Sequence, residues 1–199
     1  MNMLPDEKNI QLPKPVLKGD ISVEEALSKR KSVRIFSTKA VGLSELSQIL
    51  WAAQGVTRDW GSRTAPSAGA LYPLELFVVL SEGVFQYAPA KHQLLCLSRQ
   101  DVIKALSKAA LGQRCISEAP AIIVIAAVYE RIEIKYGARA ERYVKMEAGH
   151  AAQNILLQVL PLGMGAVPVG AFHDDQAIKV LGLPSGYTPL YLIPVGYIM

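Results

Sequence analysis

The chain has 199 residues, 51% of them hydrophobic and 19% charged, with a formal net charge of +4 and a pI near 9.0. That length and apolar share fit one domain with a sizeable core, and the modest positive charge suits a small anionic ligand. No apolar run approaches the ~20 residues of a membrane-spanning helix, no Lys/Arg tract carries interleaved aromatics, and Cys96 and Cys115 lack a CxxC or a histidine cluster, so a membrane protein, a nucleic-acid binder, a metal site and a disulfide framework are all excluded as expectations.

Residues 1–21 carry Pro5, Pro13 and Pro15 and read as an extended N-terminal arm, lying across the surface or a partner, ahead of a single domain over 22–199. The arm has no apolar signal core, so the protein is expected in the cytoplasm with its thiols buried and reduced. Ser22 predicts a helix cap with Glu24 and Glu25 in the first turn, and that helix runs to about Lys29. Arg30, Lys31, Ser32 and Arg34 then cluster within five positions. Guanidinium forks and a hydroxyl suit the oxygens of a dianionic phosphate, although the same density also describes a basic helix end that serves the dipole.

Apolar residues at 43, 46, 49, 50 and 53 predict a helix closed by Gly55, and a polar loop follows over 56–65. The run Pro66-Ser67-Ala68-Gly69-Ala70-Leu71-Tyr72-Pro73 sets small residues between two prolines. Such a loop lets backbone approach a flat ligand in one fixed shape; alone, it equally describes an ordinary turn before a strand. Strands are predicted over 75–80 and 84–87, joined as a hairpin through Ser81-Glu82-Gly83, and a helix over 99–110 ends at Leu111-Gly112-Gln113.

Residues 119–129 are almost all apolar and predict a central strand covered on both faces. The longest helix is predicted over 139–160, with Val144, Ala148, Ala151, Ile155 and Val159 on one stripe and small residues that permit close contact in the core or between subunits. His150 within it reads as packed or capped. Residues 162–172 form a second small-residue platform; strands are predicted over 166–172 and 189–195, separated by a helix over 174–181 that stops at Gly182. Helices interleaved with strands, one pair of them a hairpin, indicate α+β.

Taken together, these stretches resemble the FMN-dependent nitroreductase family and its SagB-type dehydrogenase subgroup. The likeness rests on Arg30-Lys31-Ser32-Val33-Arg34-Ile35-Phe36, Leu50-Trp51-Ala52-Ala53-Gln54-Gly55, the Pro66 to Pro73 run, Ala110-Leu111-Gly112-Gln113, Lys135-Tyr136-Gly137, Arg142-Tyr143 with the Glu147 to Asn154 block, the 162–172 platform and Pro194-Val195-Gly196, in that order. The resemblance implies an α+β fold with a mainly antiparallel central sheet flanked by helices, working as an intertwined homodimer with FMN at the subunit interface. It assigns Arg30, Lys31 and Ser32 to the FMN phosphate and Arg34 to the phosphate or a nicotinamide donor. Pro66, Ser67 and Gly69 would line the flavin from the other subunit, Gln113 would reach the ribityl chain or ring edge, and Val169, Gly170 and Ala171 would lie along the ring, with an amide of Gly170 or Ala171 directed at N5.

Three departures from the family pattern follow. Ala70 stands where many members have asparagine and Gly170 where many have glutamate. Beyond Pro194-Val195-Gly196 the sequence reads Tyr197-Ile198-Met199, without the lysine or arginine that often completes the phosphate site, which implies either more weight on Arg30, Lys31 and Arg34 or weaker FMN binding.

The activity implied is NAD(P)H-driven, ping-pong reduction of a small organic acceptor such as a nitroaromatic or quinone. Lys135-Tyr136 resembles the base and orienting pair of azoline-oxidising relatives, which implies an alternative dehydrogenase; read without the resemblance, it is a surface loop between strand and helix. A flavin-binding protein without turnover is the remaining alternative. Ser67 lacks a GxSxG elbow, which argues against a hydrolase.

Overall fold

The computed structural model describes residues 8–199. In chain order the elements are β1 (Asn9–Gln11), α1 (Val23–Lys29), α2 (Leu43–Gln54), a 3-10 turn at Ala68–Ala70, β2 (Leu74–Leu80), β3 (Gly83–Ala88), β4 (Gln93–Ser98), α3 (Ile103–Ala109), α4 (Arg114–Ser117), β5 (Ala121–Val128), α5 (Glu130–Tyr136), α6 (Ala140–Gln158), β6 (Met164–Ala166), α7 (Asp174–Leu181) and β7 (Tyr187–Tyr197). The strands form one seven-stranded sheet in the order β1-β4-β3-β2-β5-β7-β6, and every strand pair in it is antiparallel. The fold is α+β with an antiparallel central sheet flanked by helices, as the sequence implies.

β5 shows why the sheet is buried on both faces. Its Ile123, Ile125 and Ala127 pack with Leu46 and Leu50 of α2 and Val144, Ala151 and Ile155 of α6. Its Ile122, Val124 and Ala126 pack on the opposite side with Leu106 of α3, Ile116 of α4 and Leu181 of α7. Each such side chain contributes roughly 1.5–3 kcal/mol on leaving water, so both helical layers are anchored by one strand.

Caps follow the sequence at several ends. Ser22 Oγ accepts from Glu25 N at 3.1 Å, and Gly182 closes α7 in the left-handed conformation at φ +63°. Other boundaries differ. α3 begins at Ile103 rather than 99, because Asp101 Oδ1 accepts from Ile103 N at 3.0 Å and starts the turn there. β4 carries no strand signature of its own: Leu94-Leu95-Cys96-Leu97 lacks period-two alternation, and it becomes a strand by pairing with β3 on one side and β1 on the other. Part of the proline-bearing arm thereby joins the sheet, with Ile10 and Leu12 buried; the arm's residues 1–7 lie outside the described residues.

The strand expected over 166–172 ends at Ala166. Pro168 has no N–H to donate, and only Val169 keeps a bridge, exchanging bonds with Leu192 at 2.8 and 2.9 Å. Beyond it the chain leaves the sheet, and Gly170 and Ala171 are exposed. Lys135 and Tyr136, expected between elements when read alone, close helix α5.

Candidate functional site

The expected site residues fall into two groups. The first gathers at the β6–β7 edge. Arg30 ends α1, Ser32 bridges to Ala166, and Val33 N donates to Ala166 O at 3.0 Å. This approach needs Gly165, since a Cβ there would lie 2.5 Å from Val33 Cβ. Among the described residues the side chains of Arg30, Lys31 and Arg34 have no hydrogen bond or ion pair, so the elbow presents free cations. Arg34 also lines a cleft of about 330 Å³ with Gln113 and Cys115. Burial pushes the Cys115 thiol up, and the Arg34 charge draws it back.

Gln113 ties the second part of this group in place. Its Nε2 donates to Ala110 O at 3.0 Å and to Ala171 O at 2.9 Å, which uses both amide hydrogens and leaves Oε1 as the free acceptor. Ala171 is thereby fixed to the end of α3. A Cβ on Gly170 would meet no atom nearer than a Tyr191 ring carbon at 3.8 Å, so the backbone there is open to a ligand.

The second group lies over the α6 layer. Ser67 Oγ accepts from Tyr72 N at 2.9 Å, and Ala70 N donates to Ser67 O at 3.0 Å, closing a tight turn. Gly69 adopts φ +63°, and two non-glycine residues share the left-handed region, Ala70 at +55° and Tyr72 at +47°. Each stores on the order of 1–3 kcal/mol, which the surroundings must hold in place. They do so through Tyr72: Arg131 Nη1 donates to Tyr72 O at 3.1 Å while pairing with Glu75 at 2.5 Å. Arg63 N donates to Tyr72 Oη at 3.2 Å and its guanidinium lies 4.6 Å from that ring's centroid.

This turn meets Lys135 and Tyr136. A Cβ on Gly69 would lie 2.9 Å from Tyr136 Oη and 3.0 Å from Lys135 Nζ, so the glycine makes room for both polar ends. Tyr136 packs edge-on against Tyr143, with centroids 5.1 Å apart. A cleft of about 260 Å³ opens between the turn and α6, lined by Pro66, Ser67, Ala68, Tyr143, Glu147 and His150. His150 is exposed there, not packed as the sequence suggested.

Sequence reasoning gave Glu147, Arg63 and Tyr143 no role. Glu147 is only 2% exposed, and neither carboxyl oxygen has a partner in hydrogen-bonding geometry. Burial pushes its pKa up to about 7, against the pull of Ser67 and of Arg63. Arg63 Nη1 donates to Gln54 Oε1 at 3.0 Å, and burial lowers its pKa. The signal for Glu147 was available: counted from Ala140, positions 144, 147 and 151 continue a helical stripe, so this carboxyl was bound to face inward.

The two groups sit on different layers. Val33, Val167 and Val169 pack into the α3–α4–α7 side of the sheet, whereas Ala68, Leu71, Tyr136 and Tyr143 pack into the α2–α6 side. Among the described residues no cluster of His, Cys, Asp and Glu is arranged to hold a metal ion, and no helix is long and apolar enough to cross a membrane.

Residues 27–197 match the Nitroreductase family. A Methanocaldococcus jannaschii protein with the provisional name nitroreductase is 44% identical over 197 residues, spanning 96% of this chain and 97% of its own. A protein of Archaeoglobus fulgidus with the provisional name NADH dehydrogenase/NAD(P)H nitroreductase is 24% identical, over 84% of this chain and 80% of its own. The crystal structure of a Ralstonia eutropha protein, also provisionally a nitroreductase, superposes with a TM-score of 0.88 at 30% identity, over 97% of this chain and 90% of that one.

Proposed function

Because the chain belongs to the nitroreductase family of oxidoreductases, we propose that it is an FMN-dependent enzyme, working as a homodimer, that uses NADH or NADPH to reduce a small organic acceptor such as a nitroaromatic or quinone. One observation carries this reading. The unpaired cations Arg30, Lys31 and Arg34 stand on the same hydrogen-bonded frame as the open backbone at Gly170 and Ala171, through Val33 N to Ala166 O and Gln113 Nε2 to Ala171 O. A donor set of that kind fits a phosphate at one end and a flat ring at the other.

In this reading Arg30, Lys31, Ser32 and Arg34 hold the phosphate, Val169, Gly170 and Ala171 lie along the ring, and Gln113 offers Oε1 to the ribityl chain or ring edge. Pro66, Ser67 and Gly69 of a second copy cover the ring from the other side. FMN supplies the hydride chemistry; the chain binds, orients and excludes water. The soluble chemistry of nicotinamide and acceptor fits a cytoplasmic protein.

The experiment is direct. Protein reconstituted with FMN is yellow, is bleached by NADH or NADPH without oxygen, and recovers its colour when a quinone is added. R30A combined with K31A weakens FMN binding at least about tenfold, the loss of two charge-assisted bonds to phosphate. Protein that stays colourless after reconstitution overturns the reading. FMN that binds but is bleached by neither nicotinamide leaves a flavin-binding protein without turnover.

A second reading has its own observation: Lys135 Nζ and Tyr136 Oη both reach the Gly69 turn. That placement favours an azoline-type dehydrogenase of the SagB kind, in which the pair does the acid–base work. Oxygen-dependent oxidation of a thiazoline peptide, lost in K135A, separates it from the first.

A further inference from the structure

Flavin binding accounts for neither Glu147 nor the cleft behind Ser67. Glu147 lies on the buried stripe of α6, is 2% exposed, and brings two unpartnered carboxyl oxygens to the cleft that Ser67 also lines. Ser67 Oγ has one hydrogen and two lone pairs. One lone pair accepts from Tyr72 N, which leaves one hydrogen and one lone pair to divide between Glu147 and whatever occupies the site.

Resting on the flavoenzyme reading above, we propose that Glu147 is a positioning residue whose proton decides whether Ser67 presents a hydrogen-bond donor or an acceptor to the bound oxidant. Ser67 is near enough to act on Glu147 but not in bonding geometry, so a small side-chain turn is part of the device: a protonated Glu147 then donates its O–H to the remaining lone pair of Ser67, and the serine hydrogen is free to meet a carbonyl or nitro oxygen. An ionised Glu147 takes that hydrogen for itself. The serine then offers only a lone pair, which repels the same oxygen. The site therefore selects oxygen-acceptor oxidants while the carboxyl is neutral.

The surroundings permit both states near neutral pH. Burial holds the proton on Glu147 up to about pH 7, and Ser67 and the Arg63 charge act in the opposite sense. The other groups facing this corner are Tyr143 and His150 on α6, Tyr72 on the turn, and Lys135 and Tyr136 arriving from α5 at Gly69. His150 lines the same cleft, so its replacement is the control for the effect.

The test has two arms. In FMN-free protein, infrared difference titration with carboxyl-labelled glutamate shows one carboxyl ionising near pH 7, absent in E147Q. In the FMN-loaded enzyme, KM for a quinone rises about tenfold from pH 6 to pH 8, the effect of one lost hydrogen bond, while kcat changes far less. E147Q, which has no proton to lose in this range, holds one KM from pH 6 to pH 8. S67A gives a high KM at every pH, and H150Q keeps the wild-type profile. A Glu147 already ionised at pH 6 in FMN-free protein overturns the inference and leaves the flavoenzyme reading standing. So does a pH dependence that survives in E147Q or disappears in H150Q. Failure of FMN to bind ends the flavoenzyme reading and this inference with it, whereas the carboxyl titration in FMN-free protein still reports on Glu147 itself.

Discussion

Gly69 is where the small-residue turn and α5 touch, and it carries two constraints at once. Its φ of +63° is costly for any side chain, and a Cβ would crowd Lys135 Nζ and Tyr136 Oη. Both crowded atoms are the ends of long side chains and can swing away, so the backbone term dominates. G69A is therefore expected to lower stability by about 1–2 kcal/mol, read from the urea midpoint at unchanged slope. It also displaces the Lys135–Tyr136 pair. A glycine between two prolines was legible as special in the sequence. What it faces was not, since Lys135 and Tyr136 lie far along the chain. Glu147 shows the opposite case: its position on an apolar stripe was readable, and its lack of a partner appears only once Ser67 is set against α6.

Among the elements, β1 depends on a polar latch. His92 Nε2 lies 2.7 Å from Ser47 Oγ, which donates to Pro13 O at 2.5 Å, and His92 Nδ1 lies 2.8 Å from Tyr87 Oη. Desolvation is the main cause that lowers the His92 pKa below its ordinary value, against a bond to the Pro13 carbonyl. A histidine held neutral in this way adds stability that is present above about pH 6.5, its unfolded value, and is lost as pH falls through the lower folded one. Hydrogen exchange at Ile10 and Leu12 should accordingly accelerate between pH 7 and pH 5 beyond its intrinsic change, and H92A should show the faster exchange already at pH 7. Helices α2, α6 and α7 and strand β5 were legible because their apolar spacing states its own period. β1, β4 and the exit after Ala166 were not. The first two are strands by virtue of each other and β3, and the third is set by Pro168 and a single bridge to Leu192.

At the scale of the whole molecule, the cationic elbow and the glycine turn belong to opposite layers of one sheet. A flavin site that draws one from each of two chains makes a specific prediction for mixed dimers. Neither R30A/K31A nor a variant with a disrupted turn, such as S67A/G69A, retains tight FMN sites alone. Refolded together in equal amounts, they recover about a quarter of the wild-type sites, because half the dimers are mixed and each of those holds one intact pairing. Recovery of none, scored by flavin fluorescence, means that each chain builds its site from its own residues. The exposed Ile134, Ile35 and Trp60, at 91%, 65% and 78%, are apolar surface available to such an association.

The sheet that separates those two layers has an energetic corollary. On the proposed reading, in which two copies close one flavin site, self-association and cofactor retention share one linked equilibrium, and FMN tightens the dimer by the same factor by which dimerisation tightens FMN. Dilution then acts as a chemical stripping agent, so the colour of the protein should fade with concentration along a curve set by subunit exchange.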